Sequence, residues 1–138
     1  MISVILSAAK AANVSGTLLL AICTTESHLK NVKVPHDGGS PSYGICQVKY
    51  ETAKMLGFKG KPDDLMIPKI NAKYAAKYIA YQKNRYGTKN WCIISSAYNA
   101  GSYNESKKLP GHPMNMRYVK KVQKHLDPLL HFRMVCVQ

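Results

Sequence analysis

Seven carboxylates are all that this chain offers for acid–base chemistry: Glu26, Asp37, Glu51, Asp63, Asp64, Glu105 and Asp127. One of them sits in an unusual place. The stretch "LLLAICTTES", Leu18 to Ser27, opens as an apolar run and ends on Glu26 followed by Ser27. With Leu19 as reference on a helix, Ile22 and Cys23 fall at i+3 and i+4 and Glu26 at i+7, so the acid continues the apolar stripe. Burial on such a stripe disfavours the charged carboxylate, raises its pKa and keeps a proton available for donation. A plainer reading competes. Glu26 and Lys30 stand at i and i+4 in the favourable Glu-to-Lys order, as on a helix that simply reaches the surface.

The four cysteines, 23, 46, 92 and 136, form no CxxC pair and have no zinc-ligand spacing with the five histidines, which argues against a structural metal site. No cofactor is expected. Cys23 and Cys92 lie in apolar helical patterns and read as buried free thiols of a chain made in a reducing compartment, although an even count leaves disulfides open.

Charge bounds the choice of partner. Twenty Lys and Arg against seven acids give +13 over 138 residues. Such a surface is drawn to polyanions: nucleic acid, an anionic membrane surface or a bacterial envelope. Lys107, Lys108, Arg117, Lys120, Lys121, Lys124 and Arg133 make the last third the densest, as a binding patch or as a solvated face. The start, "MISVILSAAKAANVSG", has no basic segment before its apolar stretch, and Lys10 and Asn13 interrupt it. It reads as neither signal peptide nor span, so export by another route is expected.

The elements that must position Glu26 read as helices. A first helix runs from about Ser3 to Ala12, and Gly16 closes a turn before a second that carries Leu18 to about Leu29. "NVKVPHDGGSPSYG" is rich in Pro and Gly and reads as a loop. "ICQVKYETAKMLG" reads as a short helix with Gly57 just past its end, and "FKGKPDDLMIP" as irregular chain. Ala72, Ala75, Ala76 and Ile79 mark a helix from about Lys69 to Arg85, closed by Gly87. Tyr74, Tyr78 and Tyr81 on it read as packing residues with wet hydroxyls. Trp91, Ile94, Ser95 and Tyr98 at i, i+3, i+4 and i+7 mark another, closed by Gly101. A basic helix runs from about Met114 to Leu126, and Pro128 starts a new segment. No segment alternates long enough to insist on a strand. The expectation is one mostly α domain over 1–138, with loops that line a cleft.

Four separated pieces then acquire meaning together. "ES" at Glu26 and Ser27, "YGICQV" at Tyr43 to Val48, "SAYNAGSY" at Ser96 to Tyr103 and "RYVKKV" at Arg117 to Val122 follow one another in order. In that order and spacing the chain resembles the soluble lytic transglycosylases, lysozyme-like enzymes that cleave bacterial peptidoglycan. The resemblance runs from the first helix to about Leu126. It implies a lysozyme-like fold with a glycan-binding cleft, glycan strands as substrate, and Glu26 as the catalytic acid. It places Gln47, Tyr98 and Asn99 along the cleft and Tyr118 beside the acid, with a serine of the preceding loop, Ser42 in preference to Ser40, as a further substrate contact. Each has a plainer role available: Tyr98 as core, Asn99 as a helix C-cap, Gln47 and Tyr118 as surface residues. Ile45 and Cys46 depart from the family's usual Leu-Met.

The implied reaction protonates the glycosidic oxygen between N-acetylmuramic acid and N-acetylglucosamine and closes a 1,6-anhydro ring without water. A lysozyme-type hydrolysis is the alternative, and a non-catalytic basic module binding glycan or nucleic acid a more distant one; no nucleic-acid motif is present. Asp37 is the only other acid near the motif, on a Gly-rich loop, and nothing in the sequence places it opposite Glu26. A monomer is expected, acting on the cell wall in phage lysis or as part of a virion or secretion machine. Its charge would serve to concentrate it on anionic wall polymers or outer lipids.

Overall fold

In the computed structural model, residues 1–126 are described. The basic residue Arg133, Cys136 and the break expected at Pro128 lie outside them. Among the described residues there are six α-helices, one 3-10 helix and a three-stranded sheet. The helices are α1 Ile2–Ala11, α2 Gly16–Ser27, α3 Tyr50–Met55, α4 Pro68–Tyr86, α5 Trp91–Ala100 and α6 Met116–Leu126. The 3-10 helix, Pro62–Met66, lies between α3 and α4. This is the mostly α, lysozyme-like arrangement that the sequence implied.

The apolar run of α2 makes it the central helix, because residues on several of its faces are buried: Leu18, Leu19, Ala21, Ile22, Cys23 and Ser27. It packs against α1 on one side and α6 on another, while α4 packs against α1 and α5. Ser15 caps α2, its Oγ accepting the Leu18 N–H at 3.1 Å. Gly16 is therefore the first helical residue and not a turn, and a Cβ there would come within 2.9 Å of Leu6 on α1. Helix α4 begins at Pro68, whose fixed φ suits a first turn, and ends at Gly87 in the left-handed conformation. Asn90 caps α5 and Gly101 closes it.

The stretch read as a loop is a β-hairpin. Strand β1, Lys33–Asp37, pairs antiparallel with β2, Ser40–Tyr43, which pairs in turn with β3, Val48–Lys49. Gly38 and Gly39, with φ of 66° and 97°, form the two-residue connection, a geometry that glycine adopts without strain. The hairpin escaped periodicity because β1 is exposed throughout, so its residues need not alternate. Pro35 and Pro41 also argued against strands. Pairing is registered at Val34 with Ser42 and at Asp37 with Ser40, and the register shift between them accommodates Pro41 in the middle strand.

Candidate active site

Glu26 lies in the last turn of α2, which stops at Ser27 because His28 and Leu29 take left-handed φ values of 54° and 63°. Lys30 is consequently off the helix, and the i, i+4 pair with Glu26 does not form. The ion pairs among the described residues are Lys33–Asp63 and Lys54–Glu51. Instead Glu26 accepts a hydrogen bond from the Tyr118 hydroxyl on α6, Oη to Oε2, at 2.8 Å. Burial pushes the carboxyl from an ordinary 4.5 up to about 7; the Tyr118 bond opposes the shift and the negative charge of Asp37 adds to it. A helix C-terminus, with its partial negative charge, is also an unfavourable place for a carboxylate. Burial likewise raises the Tyr118 hydroxyl well above the usual phenol range, with Glu26 beside it, so it stays a donor.

The "YGICQV" motif forms the turn that faces this acid, and four links fix it there. Cys23 on α2 is joined to Cys46 by a disulfide. The Ser27 hydroxyl donates to the Ile45 carbonyl at 2.6 Å. The Tyr98 hydroxyl on α5 donates to the Cys46 carbonyl at 2.8 Å. Asn71 on α4 donates to the carbonyls of Tyr43 and Leu65, both at 2.7 Å, and accepts the Cys46 N–H at 2.9 Å. Asn71 is wholly buried, so each of these bonds satisfies a group that water cannot reach.

Two backbone conformations result from this clamping. Gly44 has φ of 78°, and a Cβ there would lie 2.5 Å from the Asn71 amide nitrogen, so only glycine fits. Gln47 is held at φ of 52°, which costs a non-glycine residue about 1 kcal/mol and is compensated by its side chain. Its amide nitrogen donates to the carbonyls of Val32 and Gly44 at 3.0 and 2.9 Å. Its side-chain oxygen is then the group left to meet a ligand.

The expectation of free thiols is overturned. Cys23 is oxidised, and no described cysteine is a free thiol. Cys23 and Cys46 stand far apart in sequence, and only the packing of α2 against the turn brings their sulfurs together. Disulfides belong to oxidising compartments, so the reducing environment inferred from free thiols loses its basis.

A cavity of about 200 Å³ opens at this point, with Glu26, Ser42, Gln47, Tyr98 and Asn99 in its wall. Five of the six residues singled out from the sequence thus line one space, and the sixth, Tyr118, bonds to Glu26 from behind. Ser42 lines it and Ser40 does not. Ser42 is completely buried, however, and its hydroxyl donates to Asp37 Oδ2 at 2.6 Å. Tyr98 is only 7% exposed and belongs to the core as well as to the wall. Asn99 is within α5, which Gly101 caps, so it is no C-cap; it is exposed, and its side-chain oxygen accepts from Asn115 at 2.9 Å.

Other wall residues carried no such expectation. Asp37 lines the same cavity as Glu26, which corrects the reading that left it unplaced. Tyr78, read as packing, is also in the wall, its ring centroid 5.2 Å from that of Tyr98. Tyr74 does pack, edge-on against Phe58. No sequence signal marked Asp37 or Tyr78, since each depends on which elements meet. Asn71 did leave a signal: it falls at i, i+4, i+8 with Ala75 and Ile79, a polar residue on an apolar stripe. A larger cavity of about 660 Å³ between α1 and α4 contains no carboxylate in its wall and lies away from these residues. Among the described residues no three His, Cys, Asp or Glu side chains cluster so as to hold a metal ion.

A carboxyl that is protonated near neutral pH, steadied by a phenol and set in a polar cleft, can donate and recover a proton. Comparison with known proteins bears on the family and the fold. No curated protein sequence matches the chain. Among solved structures, an inactive mutant of the lytic transglycosylase Slt from Pseudomonas aeruginosa superposes with a TM-score of 0.71 at 17% identity. The match covers 90% of this chain but 23% of that one, and at such identity it speaks for the fold alone. The family model of the transglycosylase SLT domain matches residues 3–115, which takes in the Glu26 turn, the hairpin and α5. By that match the chain belongs to the transglycosylase SLT domain family.

Proposed function

We propose that this protein cleaves the β-1,4 bond between N-acetylmuramic acid and N-acetylglucosamine in peptidoglycan and leaves a 1,6-anhydromuramic end. The observation that carries the reading is Glu26: half-buried, pushed up to about 7 and held by Tyr118 in the wall of a polar cavity. Glu26 donates its proton to the leaving oxygen and then accepts one from the C6 hydroxyl of the same muramic acid. A pKa near working pH serves both halves of that cycle. The substrate's acetamido oxygen supports the cationic carbon meanwhile. Gln47 offers its side-chain oxygen and Asn99 its amide to sugar hydroxyl or acetamido groups, Tyr98 offers its ring to a sugar face, and Tyr118 orients the acid.

Hydrolysis by the same acid is the second reading, and Asp37 is the observation that favours it, because a carboxylate in the cleft is able to activate water. Mass spectrometry of peptidoglycan digested with the purified protein separates the two: an anhydro end is one water lighter than a reducing end. Reducing ends alone would refute transglycosylation, and continued cleavage by a folded Glu26→Gln variant would refute the role of the acid. The positive surface supports action at an anionic cell wall, and the Cys23–Cys46 disulfide supports maturation where thiols oxidise. A part in phage lysis, or in a virion or secretion machine that opens the wall locally, belongs to the same proposal.

A further inference from the structure

We infer that Asp37 is a second catalytic residue, which accepts the acetamido N–H of the muramic acid and stabilises the ring that this group forms at C1, with Ser42 as its positioning residue. The inference rests on the transglycosylase reading above. The hairpin presents the Asp37 carboxylate to the cavity that Glu26 lines. One carboxylate oxygen, Oδ2, is fixed by the Ser42 hydroxyl at 2.6 Å. The backbone carbonyl of Asp37 is gripped by the Lys49 ammonium from β3. Among the described residues no hydrogen bond or ion pair reaches the other oxygen, Oδ1. Ser42 is wholly buried and spends its proton on Asp37, so the polar group that this strand pair offers a ligand is the carboxylate.

A carboxylate that only accepts needs a donor. Around the reacting carbon of an N-acetyl sugar the donors are hydroxyls and one acetamido N–H, and only the N–H changes character during bond cleavage. As Glu26 gives its proton to the leaving oxygen, the C1–O bond breaks and the acetamido oxygen bonds to C1. The nitrogen keeps its hydrogen and gains positive charge. A fixed carboxylate on that N–H binds the charged ring more tightly than the resting amide, which is the condition for lowering the barrier. The C6 oxygen then bonds to C1, the acetamido oxygen leaves, and the hydroxyl proton passes to Glu26. No water, oxidant or reductant is needed. The charge of Asp37 also helps to keep Glu26 protonated for the first half of the cycle. One carboxylate thus serves the acetamide while the other moves the proton.

The test compares parent, Asp37→Asn and Ser42→Ala proteins on N-acetylated glycan strands, with thermal unfolding to verify the fold. Asp37→Asn is expected to lower kcat roughly 100-fold with KM changed by less than about threefold. Its affinity for a muramic acid thiazoline, a fused ring that copies the charged intermediate, should fall by a similar factor. In a Glu26→Gln background, affinity for an unreacted N-acetylated tetrasaccharide should stay within about threefold of its value without Asp37→Asn. Ser42→Ala should repeat the pattern at smaller size. The high-pH limb of the activity profile should move to lower pH in Asp37→Asn, since a charge that raises the Glu26 pKa is gone. Equal losses for thiazoline and tetrasaccharide, or an unchanged kcat, would overturn the inference. If the parent yields reducing ends, the transglycosylase reading has failed. If it yields anhydro ends that Asp37→Asn makes at full rate, only the role of Asp37 has failed.

Discussion

Replacing Glu26 by Gln should make the protein more stable at alkaline pH and leave its stability unchanged in acid. Burial lifts the Glu26 pKa from 4.5 to about 7, whereas the unfolded chain keeps the ordinary value. Between those two pH values the folded protein holds a proton that the unfolded chain has released, so stability must fall as the pH rises through that window. Below it both states are protonated and the penalty is absent; above it the penalty is complete. The interval corresponds to about 3 kcal/mol. Glutamine is never charged, and its side-chain oxygen still accepts the Tyr118 hydroxyl, so the variant avoids the penalty without losing that bond. Urea unfolding of parent and variant, measured from about pH 4 to about pH 8, should give curves that coincide in acid and separate by about 3 kcal/mol in base. For a chain of this size the alkaline gap amounts to roughly 10 °C in Tm. A constant offset at every pH, or a variant less stable than its parent at high pH, would refute the claim that Glu26 is a desolvated acid.

Three further outcomes are expected from the geometry. The double variant Cys23→Ala and Cys46→Ala opens a loop of sequence separation 23 and should lose about 3 kcal/mol in urea unfolding. Asn71→Leu leaves two carbonyls and one N–H without partners behind the Gly44 turn, which should cost about 4 kcal/mol or prevent folding, as read by circular dichroism. Lysis of intact walls should weaken as salt rises from about 50 to about 300 mM, while cleavage of short soluble fragments does not, because only the former depends on long-range attraction. Salt-independent lysis would assign the +13 surface another role.

Within the chain alone, local repetition was decisive. The apolar positions of α2, α4 and α5 recur at helical spacing, so the helices were legible to within a few residues, and the closing glycines at 87 and 101 marked two of their ends. The same spacing put Glu26 on the face of Leu19, Ile22 and Cys23, and thereby raised the prospect of a desolvated acid before any partner was visible. The sequence could not decide between that acid and a surface pair with Lys30. The left-handed turn at His28 decided it, by ending the helix before the pair could form. The hairpin, the Cys23–Cys46 bond, the Asn71 hub and the entry of Asp37 and Tyr78 into the cleft were decided only by tertiary structure. An exposed strand has no periodic signature, and contacts across 23, 28 or 92 residues depend on how helices pack, which spacing along one helix does not encode.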